Sequence, residues 1–356
     1  MVTDEPLTAI GAVRKRPGMY VGDATSGDGV LHMVLEVVAN ACDQHFVGKC
    51  STIEIEVAAN GTITVEDDGP GMPVQGGDGL PPIGLLLTTR SERPTVDGHR
   101  PHVHLGQGGL GLFVVNALSE RFELTTIRGG VEARIIYARG ELVEPLAMAP
   151  TSRASGTRIR FRPDPQICLH SRVPRTQLSQ RLEDLSFLLP QQKLRWHIAG
   201  DDIAAGGLAA RVALAVPCAL GDVASHRASF DTTLGPIDVE VALAWRDPQW
   251  HLKAVPVLDS FVNLERSRSH GTHVDGLIDG VVAFLGRGRR AGHVAGIVAA
   301  VAVILPDVKW GNPMRDRLDS PEARAPVAEA ARLALARWAE VHPEAAAALL
   351  AHKRQR

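Results

Sequence analysis

A helix with polar residues aligned along one face is the feature that most constrains this chain. Residues 31–46 place apolar side chains at helical spacing, which predicts a helix with one buried side. Glu36, Asn40 and Asp43 recur at i, i+4 and i+7, so they share one face about two turns long. A row of carboxylate, amide and carboxylate on such a helix is a candidate wall of a binding site, and the alternative is a solvated helix face.

A predicted strand pair follows this helix and ends in acids and glycines. Apolar and polar residues alternate on both sides of Asn60-Gly61, which is a strong signal for a tight hairpin turn. The second strand runs into Asp67-Asp68-Gly69-Pro70-Gly71. Two acids at the point where a strand gives way to glycines can reach a ligand that the backbone also touches. The stretch therefore predicts a ligand site beside the helix.

A glycine-rich run farther along the chain leads into an apolar helical pattern. Glycines at a helix start let the backbone N–H groups approach an anion, and the helix dipole favours negative charge there. A single glycine cluster is also compatible with a plain turn, but its position after two acidic motifs favours phosphate binding. The run consists of Gly106, Gln107, Gly108, Gly109, Leu110, Gly111 and Leu112.

These motifs, in this order, resemble those of the GHKL ATPase superfamily. The residues RKRPGMYVGD from Arg14 to Asp23 and VVNALS from Val114 to Ser119 are similar to the family of gyrase B and the topoisomerase IV ATPase chain within it. The resemblance implies an α+β fold. It predicts a GHKL (Bergerat) α/β sandwich over residues 1–203, a ribosomal S5-like α/β transducer domain over 204–340, and a C-terminal helix with a basic tail over 341–356.

The resemblance also implies roles for the residues of the nucleotide site, with ATP and Mg²⁺ as cofactors. Glu36 corresponds to the general base and Asn40 to the Mg²⁺ ligand. Asp67 corresponds to the acceptor for the adenine amino group, Thr157 supports the base through water, and the glycine-rich run corresponds to a lid over the phosphates. The resemblance further predicts that four other residues belong to the nucleotide-binding set, namely Asp43, Gly71, Met72 and Pro73.

Two arginines need a separate interpretation. The family's transducer carries a Gln-Thr-Lys loop whose lysine contacts the γ-phosphate, and its position falls here on Pro313-Met314-Arg315. We expect Arg315 to keep the charge but not the geometry, because guanidinium is a planar fork where ammonium is a point. Arg128 matches an arginine that coumarin inhibitors contact in the family, and the alternative for it is a surface charge at a strand edge.

Composition adds limits on location and chemistry. A net charge of -2 among 356 residues argues against a strongly basic nucleic-acid clamp, and the longest apolar run is too short to span a membrane as a helix. The four cysteines have no metal spacing, so we expect buried, reduced thiols and a cytoplasmic protein. His270 and His273 form an i, i+3 pair that is more often structural than metal-binding. Arg14, Lys15 and Arg16 by themselves indicate a solvated basic run.

The sequence leaves two functional hypotheses. The first is an ATPase, related to type II DNA topoisomerases, that acts with gyrase A or another topoisomerase component and dimerises on nucleotide binding. The second is a low-turnover nucleotide-binding regulator or decoy, which the altered loop at Arg315 favours. Only a few residues precede Ala9, so we expect the family's arm exchange to be reduced or absent. The resemblance ends before a TOPRIM site, so we expect no DNA cleavage by this polypeptide alone, and DNA contact stays open.

Overall fold

The computed structural model describes most of the chain and divides it into two compact units. The units are Met1–Ala205 and Gly206–Arg356. The described residues are 8–46, 48–76, 82–89, 111–169, 172–189, 195–198, 201–204, 206–216, 218–246, 255–286, 295–312 and 315–354.

Unit 1 combines helices with one mixed sheet, in agreement with the predicted α+β class. Its helices are α1 Ala9–Lys15, α2 Gly18–Val21, α3 Gly27–Phe46, α4 Ile83–Thr88, α5 Gly111–Ala117 and α6 Arg175–Leu188. Its strands are β1 Ile53–Val57, β2 Ile63–Asp67, β3 Ser119–Arg128, β4 Val131–Ala138, β5 Glu141–Pro150, β6 Gly156–Pro163, β7 Arg195–Ile198 and β8 Asp201–Ala204.

The sheet of unit 1 is built mainly from hairpins. Among the described residues its strand order is β5-β4-β3-β6-β2-β1-β7-β8. β1 and β2 are antiparallel around the predicted Asn60-Gly61 turn, and β3 and β4 are antiparallel around Gly129-Gly130. In β1, β2 and β6 buried residues alternate with more exposed ones, which leaves one face of these strands polar.

The polar face carries cross-strand ion pairs between arginine and glutamate. Arg158 meets Glu66 at 2.8 Å and Arg134 meets Glu123 at 2.8 Å. Each of these guanidinium groups is about half exposed, so a single pair contributes little to stability. The pairing of opposite charges nevertheless favours the observed register of β2, β6, β3 and β4.

β5 lies at the edge of the sheet and is exposed at all ten residues. Leu142, Val143 and Met148 are each about half exposed. The pairing of β5 with β4 shifts register twice, and the strand contains Pro145 and ends at Pro150.

α3 is buried almost all round, which differs from the expected two-sided helix. Its apolar residues from Val30 to Ala39 are nearly inaccessible, and Glu36 and Asp43 are buried as well, while Asn40 is half-buried. The helix packs against β2 and α5. The aligned polar residues therefore do not form a solvated face.

Arg14 also departs from expectation, because it is not part of a solvated run. Its Nη2 donates to Asp164 Oδ2 at 2.8 Å and its Nη1 donates to the carbonyl oxygen of Ala117 at 2.8 Å. The Asp164 side chain is completely buried. Lys15 and Arg16 are exposed, so the solvated interpretation holds for them.

Unit 2 is a second α/β body with its own core. Its helices are α7 Gly207–Ala215, α8 Thr272–Leu285, α9 Arg324–Val341 and α10 Pro343–Arg354. Its strands are β9 Ala224–Thr232, β10 Gly235–Trp245, β11 Val257–Val262, β12 Glu265–Arg266 and β13 Ile297–Ile304.

Small residues bring the helices of unit 2 close together. The described strands follow the order β12-β11-β13-β10-β9, and α8 and α9 contribute apolar residues to a core that they share with this sheet. A Cβ on Gly276 of α8 would lie 2.3 Å from the carbonyl oxygen of Arg324, so only glycine allows this crossing. The alanine-rich sequence of α9 therefore serves tight helix packing rather than helix propensity alone.

The sequence predicts buried cysteine thiols and no membrane-spanning helix. None of the described helices has the length and apolarity needed to cross a membrane. Cys42, Cys50 and Cys168 are buried as expected, and burial raises the pKa of each thiol. Cys218 is exposed, so the expectation of buried thiols was wrong for that residue.

Candidate nucleotide site

The candidate site is built on α3, where Glu36, Asn40 and Asp43 follow one another at helical spacing. Asn40 Nδ2 donates to the backbone oxygen of Glu36 at 3.0 Å. Because a carbonyl accepts only from a donor, this bond turns the amide nitrogen toward the helix and leaves Asn40 Oδ1 facing away from it. The side chain thus presents an oxygen, which is the ligand type that Mg²⁺ prefers. Asp43 lies one turn farther along, buried.

Glu36 is held by the first residue of α5. The backbone N–H of Gly111 donates to Glu36 Oε2 at 3.2 Å, across 75 residues of sequence. Gly111 has a φ of 65°, and the next residue, Leu112, is buried. The remainder of the predicted lid, Gly106 to Leu110, lies outside the described residues.

The two neighbouring acids after β2 have different environments. Asp68 is exposed, and its carboxylate accepts from the N–H groups of Ser51 and Thr52 at 2.7 and 2.8 Å and from the Ser51 hydroxyl at 2.5 Å. Although burial acts in the opposite direction, these bonds lower the pKa of Asp68. Asp68 therefore holds the loop before β1, and both of its carboxylate oxygens already accept hydrogen bonds.

Asp67 points the other way and is largely desolvated. Its Oδ1 accepts from the N–H of Gly69 at 2.9 Å, and β6 places Thr157 directly across from it. Burial raises the pKa of Asp67 to about 6, with a smaller contribution from the nearby charge of Asp68 and opposition from the Gly69 N–H. A poorly solvated carboxylate at a strand end is a candidate ligand-recognition group.

Gly71 allows the loop after Asp67 to lie flat against β3. Its φ is 75°, and a Cβ there would lie 2.2 Å from the carbonyl oxygen of Ile127, which no side chain permits. Two side chains of β3 hold the loop: Thr126 Oγ1 accepts from the N–H of Met72 at 2.7 Å, and Arg128 Nη1 donates to the oxygen of Gly71 at 3.0 Å. Pro73 follows, half-buried.

Thr126 is a contributor that the sequence did not reveal. It is buried and bonds to a loop 54 residues earlier, and an isolated threonine in a strand carries no local signal of this kind. The sequence leaves Arg128 as either a surface charge or a site residue. Its bond to Gly71 attaches it to the motif loop, so it is more than a strand-edge charge.

A groove of about 400 Å³ lies on the opposite, polar face of the same sheet. Its lining includes Glu54, Glu66, Thr125 and Arg158, which neighbour one another across β1, β2, β6 and β3. Neither Glu36 nor Asn40 lines it. Its lining also includes Asp67 and Thr157, so the groove reaches the two residues that are predicted to recognise adenine.

Arg315 belongs to unit 2, in a turn after Trp310. Asn312 Nδ2 donates to Asp316 Oδ1 at 2.6 Å and the Arg315 N–H donates to the oxygen of Asn312 at 3.2 Å. Arg315 is exposed and has a φ of 55°, an uncommon conformation for a residue with a side chain. Pro313 and Met314 lie outside the described residues.

The histidine pair is also in unit 2 and belongs to its core. Ser260 Oγ lies 2.9 Å from His270 Nδ1, and His273 is completely buried. Burial lowers the pKa of His273 to about 3, with a smaller contribution from His270, so this ring is neutral at physiological pH. Within the described part of the chain, no group of three histidine, cysteine, aspartate or glutamate side chains could hold a metal ion.

Comparison with known proteins finds a family that matches much of unit 1. Residues 25–167 match the family described as histidine kinase-, DNA gyrase B- and HSP90-like ATPase. A curated relative, the DNA gyrase B of Rickettsia bellii, is 30% identical over 95% of this chain. The chain spans 44% of that relative's length.

Solved structures give the same result for the fold. The 43K ATPase domain of Thermus thermophilus gyrase B, solved with an aminocoumarin, is 25% identical with a TM-score of 0.80, over 98% of this chain and 94% of that one. The topoisomerase IV ATP-binding domain of Francisella tularensis, solved with a small-molecule inhibitor, is 22% identical with a TM-score of 0.73, over 98% and 96% of the two chains. That second likeness concerns the fold alone.

These matches confirm the predicted fold class, a GHKL ATPase domain followed by an S5-like domain. They extend beyond the nucleotide-binding motifs, because both solved structures cover nearly the whole chain. Residues 25–167 thus form an ATPase domain of the histidine kinase-, DNA gyrase B- and HSP90-like family, and the chain is a gyrase-B-like protein related to the N-terminal part of gyrase B.

Proposed function

We propose that this chain binds ATP beside α3 and hydrolyses it. The observation that carries the proposal is the arrangement of two carboxylates in unit 1. Asp67 is desolvated at a strand end, where its carboxylate can accept a hydrogen bond from a base. Glu36 is held by the Gly111 amide, where its carboxylate can accept a proton from water. The family match over residues 25–167 supports the same assignment.

Base recognition is assigned to the loop after β2. Asp67 accepts the adenine amino hydrogen with the oxygen that Gly69 does not occupy, and Thr157 supports the base through water. Gly71 lets the ring lie close to the backbone, with Met72 and Pro73 beside it. The bonds from Thr126 and Arg128 support this role because they hold the loop in place before ligand arrives.

The chemistry is assigned to Glu36. Its carboxylate takes a proton from water as the water oxygen attacks the γ-phosphorus, and the bond to the ADP oxygen breaks. Asn40 would hold Mg²⁺ through Oδ1, with Asp43 nearby on the same face of α3. When bound, the ion neutralises negative charge on the phosphates. Phosphate binding is assigned to the predicted lid, Gly106 to Leu112, whose backbone N–H groups would bind the anion.

The biological setting is proposed from the relatives. The proposal includes coupling of ATP turnover to gyrase A or another topoisomerase component. It also includes dimerisation on nucleotide binding and a cytoplasmic location. Contact with DNA is not assigned, because the polar face of the first sheet pairs its arginines with glutamates. The alternative of a low-turnover regulator is not favoured by the gyrase B relatives.

A single-turnover assay tests the function directly. Purified chain in excess over radiolabelled ATP, with Mg²⁺, is expected to bind ATP saturably and to release phosphate, and the rate is measured with and without gyrase A. Binding without any phosphate release under either condition would leave only the nucleotide-binding part of the proposal. Absence of ATP binding by calorimetry would overturn it.

Arg315 is proposed to contact the γ-phosphate, and its replacement gives a specific result. Arg315→Ala is expected to weaken ATP binding more than ADP binding, because ADP lacks the group that the guanidinium contacts. The difference should be smaller than the roughly 1.5–3 kcal/mol of a charged hydrogen bond, because the guanidinium reaches the phosphate only weakly. Calorimetry with both nucleotides measures the difference. Arg317→Ala, two residues away on the same turn, is the matched control. An unchanged ATP-to-ADP ratio in Arg315→Ala would remove Arg315 from the site.

A further inference from the structure

The helix that fixes Glu36 is itself anchored at its other end. α5 has seven residues, so it is about 10 Å long. All of them except Gly111 are buried. A short helix packed on every side moves as one body, and any shift at its C-terminal end reaches Gly111.

The anchor at that end is made by Arg14 of α1. The carbonyl oxygen of Ala117 is among the last four of the helix, which have no partner inside it, and Arg14 Nη1 donates to it. A cation at a helix C-terminus also interacts favourably with the helix dipole. The other nitrogen, Nη2, is held by Asp164 Oδ2, so the guanidinium is fixed at two points.

Asp164 joins this anchor to the sheet. Its Oδ2 also accepts from Arg139 Nε at 3.0 Å, its Oδ1 accepts from the N–H of Gln166 at 3.1 Å, and its own N–H donates to the oxygen of Leu118. Burial acts to raise the pKa of Asp164, but these donors outweigh it and the pKa lies below its ordinary value. The carboxylate is therefore an ionised, immobile support.

We infer that Arg14 is a positioning residue for ATP hydrolysis, which holds α5 so that the Gly111 amide keeps the Glu36 carboxylate in place. The inference rests on the proposed function, since it needs Glu36 to act on water. The side-chain hydrogen bonds of Arg14 go to Ala117 and Asp164, so it is linked to Glu36 through α5. Its removal should therefore affect turnover and spare base recognition.

Arg139 provides a matched control on the same carboxylate. Both guanidinium groups donate to Asp164 Oδ2, whereas the Arg14 group also donates to α5. Arg139 lies at the turn between β4 and β5, with a side chain 45% exposed. If Arg14 merely neutralised Asp164, the two arginines would be equivalent. If Arg14 positions α5, they differ.

The experiment compares Arg14→Gln and Arg139→Gln in the full chain. We expect Arg14→Gln to lower turnover at saturating ATP by about 10- to 100-fold, the range for a displaced catalytic group, with the ATP dissociation constant changed less than about threefold. Arg139→Gln should keep the parent turnover. The amide signal of Gly111 in the NMR spectrum should shift in Arg14→Gln alone, because its bond to Glu36 is disturbed.

Each other outcome has a defined meaning. Equal loss of turnover in both variants, or a loss of ATP affinity that matches the loss of turnover, would overturn the positioning role. If Arg14→Gln does not fold, Arg14→Lys takes its place, because a single ammonium keeps the charge but cannot reproduce both bonds of the fork. A parent protein that binds ATP without turnover would defeat the proposed hydrolysis, and the Gly111 signal would still decide whether Arg14 positions α5.

Discussion

Replacing Glu36 with glutamine is expected to slow ATP hydrolysis by about 10²- to 10⁴-fold, the usual contribution of a general base, while ATP still binds. Glutamine keeps an oxygen that can accept from the Gly111 N–H, so the local structure is retained and only the proton acceptor is lost. Single-turnover phosphate release measures the chemistry, and calorimetry with Mg·ATP measures the binding.

The control for Glu36 is a glutamate of the same unit that lies away from the site. Glu56 is exposed on β1, and Glu56→Gln removes the same charge with no expected effect on turnover. Glu36→Ala adds a second comparison, because it removes the acceptor for Gly111 as well. Parent-like turnover in both Glu36 variants would exclude this residue from the mechanism.

Asp67→Asn is expected to weaken ATP binding by about 10- to 150-fold, which corresponds to roughly 1.5–3 kcal/mol for a charged hydrogen bond. The structure gives a reason why the amide is a poor substitute. The Gly69 N–H requires an oxygen on its side, so the new NH₂ group must face the adenine amino group, donor against donor. Calorimetry measures the loss.

The adjacent acid is the matched control for this substitution. The oxygens of Asp68 are already bonded to Ser51 and Thr52, so Asp68→Asn should leave ATP affinity within about twofold while it lowers the thermal stability of the loop through the loss of a charged bond. Equal losses of affinity in the two variants would place the adenine elsewhere.

The raised pKa of Asp67 gives the same prediction a pH dependence. Burial places that pKa at about 6, so the carboxylate is ionised above pH 6 and gains a proton as the pH falls below it. Because the ionised form is the stronger acceptor, base affinity should be full near pH 7.5 and should fall below pH 6. Adenosine is the suitable probe, since it has no phosphate that titrates in this range. An affinity that rises below pH 6 would mean that the neutral acid pairs with the base.

Local features of the sequence predicted most of the fold around the site. The Asn60-Gly61 and Gly129-Gly130 hairpins follow from turn chemistry and alternation, which act over a few residues. The same alternation also separates the two acids, because it turns Asp67 toward the helices, beside Val65, and Asp68 toward solvent. That distinction was available from the sequence, but it became clear only from the structure.

Contacts that span long stretches of chain were not predictable in this way. Arg14 meets Asp164 across 150 residues, and Thr126 meets the Met72 amide across 54. Neither arginine in a basic run nor threonine in a strand carries a local mark of such a partner. The burial of α3 on all sides was also missed, because a helical period shows which residues are apolar and does not show how many neighbours surround them.

The form of the outer strand β5 limits how unit 1 can join another chain. A proline has no N–H to donate, and a register shift breaks the even spacing of backbone groups that an incoming strand would need. With Pro145 inside β5, Pro150 at its end and two shifts against β4, this margin is a poor template for a ninth strand despite its exposed apolar side chains. Growth of the sheet into a continuous intermolecular ribbon is therefore blocked on this side.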